Sequence, residues 1–350
     1  MPRDSTNVSI SDTSDVIGEF KAALADAGLV LRGPPVMDGK LRRVPVIGDR
    51  PGRRSGAYVG HLDGMPAGHI TNWKTGLQTT WKSLHASHGA GEGGRRSPLW
   101  RTNIQDRMEA KRAAIARRQA RTSRHAERLW DSAGLAPHNH RYLVRKRVAV
   151  HGLRISEAGC LLIPAHDIDG RLWSLTRIMP DGTKLFLRGG RIEGCHYTIG
   201  SLDPWRPILI AEGFATAATL HELTGLPAVA AMMSGNLSAV ARVIRNRYQH
   251  ARIIIAGDND HRLPDQDPPM PNVGKLKAEE AARDCVGISL IPTFEPEDLG
   301  TDWNDLAASH GADAVRGQLA ACAELGRYLE LGEPCSPGPP AGVPPSAAPA

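Results

Sequence analysis

The chain has 350 residues, 41% of them hydrophobic, enough for roughly two or three domains that each bury a core. It has no apolar run of the roughly 18 residues needed to span a bilayer, and Met1–Ser14 is polar, unlike a secretory leader. A formal net charge of +6 with an isoelectric point near 9.2 favours a polyanionic partner over a membrane.

Residues 1–15 are rich in Ser, Thr and Asp and are expected to be disordered. Val16–Leu29 reads as an amphipathic helix ending near Gly28. Short strands follow at Arg42–Ile47, Ala57–Leu62 and His69–Trp73, separated by Gly- and Pro-rich turns. Together, residues 16–94 are expected to form an N-terminal α+β module closed by a flexible Gly89–Gly94 joint. Trp73 and Lys74 read as packing residues in this module rather than as nucleic-acid contacts. Its histidines, His61, His69, His85 and His88, do not have the spacing of a four-ligand metal site.

From Pro98 to Ser132 the pattern predicts one long polar helix stopped at Gly134, within a linker spanning residues 95–135. Residues 95–128 hold eleven Arg and Lys against three acids. Arg112, Arg117, Arg118, Arg121, Arg124 and Arg128 fall on more than one helical face, which favours a solvated connector over a phosphate-tracking stripe. Residues 136–205 read as a small basic α+β subdomain. Within it, Leu161–Ile192 has hairpin turns at Asp169-Gly170, Asp181-Gly182 and Gly189-Gly190. Its cations Arg177, Lys184, Arg188 and Arg191 are spaced as a phosphate groove requires; the alternative is that they keep exposed strands from pairing.

Two apolar runs starting 45 residues apart carry most of the chemistry: Ile208-Leu209-Ile210-Ala211 before Glu212-Gly213, and Ile253-Ile254-Ile255-Ala256 before Gly257-Asp258-Asn259-Asp260. Runs this short are strands buried on both faces, which belong to parallel sheets flanked by helices. Between them, Phe214–Thr224 and Leu237–Tyr248 have helical spacing and Ala228–Met233 is a further apolar run. The order strand, helix, strand, helix, strand with right-handed crossovers brings Glu212, Asp258 and Asp260 to one sheet edge. Along an extended chain Asp258 and Asp260 point the same way, and two adjacent carboxylates repel unless a cation lies between them. All-oxygen ligands suit Mg²⁺ (or Mn²⁺) together with a phosphate. Blander readings are a helix-dipole glutamate at Glu212 and a turn-forming Asp-Asn-Asp at 258–260.

After Asp260 comes a Pro/Asp-rich loop, then a predicted helix from Asn272 through Ala282, with Lys275 and Lys277 near its start. These lysines stand either as triphosphate ligands or as ordinary surface residues. Gly287–Pro292 reads as a fourth strand. Asp302, before Trp303-Asn304-Asp305-Leu306, is either a helix N-cap or a further metal ligand. The stretch 206–330 is taken as the catalytic domain, and the Pro/Ala-rich 331–350 as a disordered tail.

The Glu-Gly closing one strand and the Asp-x-Asp closing a later one resemble the Toprim domain. AEGFATAATLHELTG, MSGNLSAVARVIR, IIIAGDND, VGKLKAEEAARD and TDWNDLAASHG are similar, in that order, to the Toprim half of plasmid- and phage-encoded DNA primases. Leu161–Gly200 resembles the basic subdomain that precedes it there, and Gly56–Gly76 resembles the N-terminal module of the same group. The resemblance covers residues 15 to 320. It implies a multidomain α/β and α+β protein, with a Toprim parallel sheet behind a small basic α+β subdomain and an N-terminal α+β module. It also implies Mg²⁺-dependent synthesis of short RNA primers from ribonucleoside triphosphates on single-stranded DNA, in the replication or transfer of a plasmid, phage or mobile element. On that reading Glu212, Asp258 and Asp260 are catalytic metal ligands with Asp302 as a possible fourth; Arg177, Lys184, Arg188, Arg191, Lys275 and Lys277 bind nucleic acid or nucleotide.

The five cysteines, Cys160, Cys195, Cys285, Cys322 and Cys335, are scattered and show no zinc spacing, so no zinc is expected and a reducing cytoplasm is. That departs from cellular primases, whose N-terminal module is a zinc ribbon. The chain has no Gly-x4-Gly-Lys-Ser/Thr motif, so a helicase would be a separate partner. A topoisomerase would need a cleavage domain with a nucleophilic tyrosine, for which no residues remain. A Toprim nuclease and a non-catalytic single-strand-binding accessory protein stay as alternatives.

Overall fold

The computed structural model describes residues 10–62, 65–83, 98–265 and 269–330. Residues 1–9, His85, His88, the 89–94 joint, Cys335 and the 331–350 tail lie outside the described residues. The chain forms two compact units, one from residues up to 104 with 263–273, the other from 105–262 and 274 onward.

In the first unit, α1 (Ile10–Asp26) precedes an antiparallel meander of β1 (Arg42–Val44), β2 (Gly56–His61), β3 (Ala67–Asn72) and β4 (Leu77–Lys82). The helix starts at Ile10, so residues 10–15, expected to be disordered, are its opening turns. Ser, Thr and Asp are as favourable at a helix start as in a disordered segment, and composition does not separate the two. β4 is a strand beyond the three expected: Leu77-Gln78-Thr79-Thr80-Trp81-Lys82 is largely exposed, and only Trp81 packs on the core, its ring 4.8 Å from that of Phe20. Phe20 and Leu24 are fully buried against Tyr58 and Ile70. Gly60 and Gly68 sit opposite each other in register, and a Cβ on either would stand 2.7 or 2.4 Å from the Phe20 ring. The two glycines therefore admit that ring to the sheet. Lys74 Nζ donates to the Gly48 carbonyl at 2.6 Å, and the Arg43 guanidinium lies 4.0 Å over Trp73.

α2 (Pro98–Ser132) has the predicted bounds. Residues 109–118 are exposed all round, as the charge distribution implied. Its last turns pack: Ala126, Leu129 and Trp130 meet Leu162, Leu172, Leu175 and Leu187. Ser123 Oγ donates to the Leu172 carbonyl at 2.5 Å. The sheet beneath is antiparallel, in the order β5 (Gly134–Leu135), β6 (Arg154–Ile155), β7 (Leu161–His166), β8 (Leu172–Ile178), β9 (Lys184–Phe186), with α3 (Arg141–Lys146) between β5 and β6.

The third sheet comprises β10 (Tyr197–Ile199), β11 (Ile208–Ala211), β12 (Ala228–Ala230), β13 (Ile253–Ala256) and β14 (Ile288–Leu290), ordered β10-β12-β11-β13-β14. Its connecting helices are α4 (Phe214–Thr224), α5 (Leu237–Arg247) and α6 (Val273–Cys285), followed by α7 (Trp303–Ala320) and α8 (Ala323–Glu330). All pairings are parallel except β10 with β12. Alternation then divides the strands as buried, two-faced strands require. Leu209, Ala211, Ile254 and Ala256 face α4 and α7, while Ile208, Ile210, Ile253 and Ile255 face α5 and α6. The first of these cores also takes in Tyr142, Leu143, Leu153, Leu161 and Ile163 from the preceding subdomain.

β7 ends at His166, which exchanges backbone hydrogen bonds with the buried His196. Burial, with the nearby His196, holds the His166 imidazole down at about 4 from an ordinary 6.5, so below pH 6.5 the unfolded chain takes up a proton that the native chain refuses. Stability supplied by this site is present above pH 6.5 and is lost as pH falls towards 4, by about 3 kcal/mol at most. Urea denaturation of wild type and His166→Gln at pH 7 and pH 5 checks this: the drop between the two should be smaller in the variant.

Candidate active site

Ala211 and Ala256 are paired in register, so β11 and β13 end level and Glu212 lies beside Gly257 at the C-terminal sheet edge. Gly257 and Gly274 then let α6 close on the strand end. A Cβ on Gly257 would stand 2.4 Å from Ala278 Cβ, and one on Gly274 would stand 2.6 Å from the Asp258 carbonyl oxygen. Gly274 N, in the first turn of α6, donates to Asp260 Oδ2 at 3.0 Å, the placement an aligned helix dipole favours. Gly274→Ala should push α6 off Asp258, with a destabilisation of roughly 1–3 kcal/mol. A shifted midpoint in chemical denaturation, together with reduced activity, is the check.

Asn259 ties in the last acid. Its N–H donates to the Thr301 carbonyl at 2.6 Å and its Nδ2 to the Pro292 carbonyl at 2.8 Å, which draws the Thr301-Asp302 turn onto the β13 edge. Asp302 caps α7, Oδ1 accepting from Asp305 N at 2.8 Å. Lys146, at the end of α3, places Nζ 2.9 Å from Asp305 Oδ1 and 3.9 Å from Asp302 Oδ2. The N-cap reading of Asp302 thus holds, and the acid also belongs to the carboxylate group.

On the other side, the Ser234 backbone lies near enough to the Glu212 carboxylate to favour its charged form. Lys184 Nζ would lie 3.6 Å from a Cβ on Gly213, and its charge is felt by both Glu212 and Asp258. Burial raises the Glu212 carboxyl above its ordinary value, with Lys184 opposing and Asp260 and Asp302 adding to the rise. Asp258 is pushed well above the usual carboxylate range, by burial first and then by Glu212, Asp302 and Asp260. Burial likewise raises Asp302, against the pull of Lys146. Asp258 Oδ1 is buried without a hydrogen-bond partner.

Glu212, Asp258, Asp260 and Asp302 therefore share one electrostatic neighbourhood, with Lys184 and Lys146 flanking it. Among the described residues no three His, Cys, Asp or Glu side chains are gathered into a ready metal cage. An unpartnered buried carboxylate oxygen amid like charges nonetheless fits a hard divalent cation, which completes its shell with water and phosphate rather than with protein alone. Such a site does not resemble closed N/S zinc coordination.

The remaining predicted cations go to different places. Thr176 and Ile178 lie opposite Phe186 and Lys184, so Lys184 and Phe186 share their sheet face, which looks to the carboxylates. Arg177 pairs with Leu162 and Leu185 on the other face, the one α2 covers. Its buried Nε has no hydrogen-bond partner. Arg188 is exposed in a turn whose neighbour Gly189 packs on the Arg118 side chain. Arg191 lies 5.0 Å over the Trp173 ring, which Arg171 also covers at 4.3 Å. Lys275 is exposed in the first turn of α6, next to the Gly274 N–H that holds Asp260. Lys277 is bound to Glu280 at 2.6 Å.

Two residues that sequence patterns did not flag shape this site. Lys146 is one. The other is Asn236, buried, which accepts from Gly194 N at 2.9 Å and donates to the carbonyls of Ala231 at 2.8 Å and Cys195 at 2.9 Å, fixing the turn that carries Ser234. Lys146 lies outside every quoted motif, and Asn236, although within MSGNLSAVARVIR, gives no periodic signal as a buried Asn.

Among the described residues no helix is long and apolar enough to cross a membrane. Residues 207–313 match the Toprim domain. The chain is 38% and 36% identical, over 294 residues and 79% of its length, to two Escherichia coli proteins named DNA primase TraC. It spans only 26% and 20% of their lengths. Looser likeness extends to the primase fragment of the bacteriophage T7 primase-helicase, with TM-score 0.40 and 13% identity over 72% of this chain and 90% of that one. For the Aquifex aeolicus primase zinc-binding and RNA polymerase domains the TM-score is 0.38, with 12% identity over 91% and 90%. The strand-end carboxylates at 212, 258, 260 and 302 all fall within the matched segment: the chain carries a Toprim domain over residues 207–313, in a sequence similar to DNA primase TraC.

Proposed function

We propose that the chain is a primase that joins ribonucleoside triphosphates into short primers on single-stranded DNA. The single observation that carries this reading is the set of Glu212, Asp258, Asp260 and Asp302 at one parallel-sheet edge with Lys184 of the basic subdomain reaching into it. Similarity to DNA primase TraC over 79% of the chain supports the choice of reaction. Asp258 and Asp260 would hold Mg²⁺, with Glu212 and Asp302 completing the acidic surround. When bound, the ion neutralises charge that develops on the phosphates as pyrophosphate leaves.

Lys184 neutralises a triphosphate oxygen from the opposite side of the cleft. Glu212, whose proton affinity is raised by burial, accepts the proton of the attacking 3′-hydroxyl. Lys146 keeps Asp302 turned toward the edge through Asp305. A nuclease would use the same acids to activate water, and an accessory protein would bind DNA without chemistry. One assay separates the three: labelled nucleotide incorporation on single-stranded DNA with Mg²⁺ or Mn²⁺, run beside a strand-cleavage assay. Incorporation without cleavage is the expected result; cleavage alone, or neither, would overturn the reading.

A further inference from the structure

We infer that Phe186 and Met233 form a stacking platform for a nucleobase beside the carboxylate edge. This rests on the primase reading for its class of ligand. β9 is an edge strand, and Phe186, 36% exposed, projects from the same face as Lys184, two residues away. Side chains at that spacing stand about 7 Å apart along a strand. Lys184 fixes one end of this face at Gly213. At the other end, Thr176, the partner of Phe186, donates its hydroxyl to Met232 Sδ at 3.8 Å, so Phe186 approaches the turn after β12.

That turn is unusual. Met232 holds a positive φ of 73°, a conformation unfavourable for a residue with a Cβ and retained only where the surroundings over-determine it. Asn236 does so by bonding Ala231 and the Gly194-Cys195 backbone. Met233 follows, 42% exposed, immediately before Ser234, whose backbone lies beside Glu212.

Two exposed apolar side chains thus border an acidic, lysine-flanked edge, Phe186 standing about 7 Å along its strand from Lys184. Aromatic and thioether side chains stack on any base because every base has a π face. A triphosphate at Lys184 with its base on Phe186 and Met233 uses both ends of the same strand face. The base belongs either to an incoming nucleotide or to the strand being copied.

The test is equilibrium binding to the full chain with Mg²⁺ in two arms. One compares a ribonucleoside triphosphate with inorganic tripolyphosphate; the other compares an oligothymidylate with an abasic strand of equal length. Wild type should prefer the base-bearing ligand by about tenfold or more in at least one arm. Phe186→Ala with Met233→Ala should lose most of that preference while retaining affinity for tripolyphosphate, and Phe186→Trp should keep it. The arm that responds identifies the source of the base. Wild-type preference retained by the double variant in both arms, or absent from wild type, would overturn the platform. Failure of the primase reading is distinguishable: bases bind in a Phe186-dependent way, yet no primer is made.

Discussion

Asp258→Asn combined with Asp260→Asn should reduce primer synthesis by at least about a thousandfold, the scale of several kcal/mol of charge stabilisation in the transition state. The same double variant should fold at least as stably as wild type. Asp258 lies among three other acids that, with burial, push its carboxyl well above the usual range, so removing two charges relieves repulsion. Asn at position 260 still offers an oxygen to the Gly274 N–H. Thermal melts should therefore show a midpoint equal to or above wild type without metal. Added Mg²⁺ should raise the wild-type midpoint and leave the variant's unmoved. Synthesis that persists in the double variant, or a metal-dependent shift that survives in it, would remove these two aspartates from the site.

The second large effect separates two cations that sequence spacing treats alike. Lys184→Ala should cost about a hundredfold in synthesis, as loss of a charged ligand aimed at developing negative charge does. If Lys184 also meets a template phosphate, the log-log salt slope of single-strand binding should fall by about 0.7. Arg177→Ala should leave synthesis within about threefold of wild type, because Arg177 faces Leu162 and Leu185 under α2 rather than the acids. Its effect should appear instead as lost stability, read by denaturant midpoint. Equal losses of activity in the two variants would mean that α2 does not separate Arg177 from the substrate.

What the sequence made legible were the features written in a local period. The breaker-free stretch 98–132 and the Ala-rich 214–224 gave helices whose bounds the structure keeps. The two apolar runs ending in Glu212 and Asp258 gave neighbouring parallel strands. Illegible were features made by pairing across the chain. β4 has a single core-packed residue, Trp81, among mostly exposed polar ones, and β10 is three residues whose strand character comes from their hydrogen bonding to β12. The separation of Arg177 from Lys184 depends on which face of β8 and β9 looks at which neighbour, and charge spacing alone cannot distinguish one side of a sheet from the other. In sequence, Asp302 reads equally as a cap and as a metal ligand for a similar reason. A cap needs only the three residues after it, whereas membership of the acidic group depends on Asn259 tying to Thr301, 42 positions along the chain.

β10 bears on how such a protein can be divided. It comes from residues ahead of the segment that matches the Toprim domain, yet it is the outermost strand of that domain's sheet, running antiparallel along β12. The core beneath likewise mixes Tyr142, Leu143 and Leu153 with Leu209, Phe214 and Trp303. A fragment beginning at residue 206 would leave the β12 edge open as a template for intermolecular strand pairing and would uncover that core. It should be recovered as aggregate, whereas one beginning ahead of Thr122, which keeps the packed turns of α2 and β5, should stay monodisperse. Recombination that shuffles these parts would have to carry the last turns of α2 and everything after them as one inherited block.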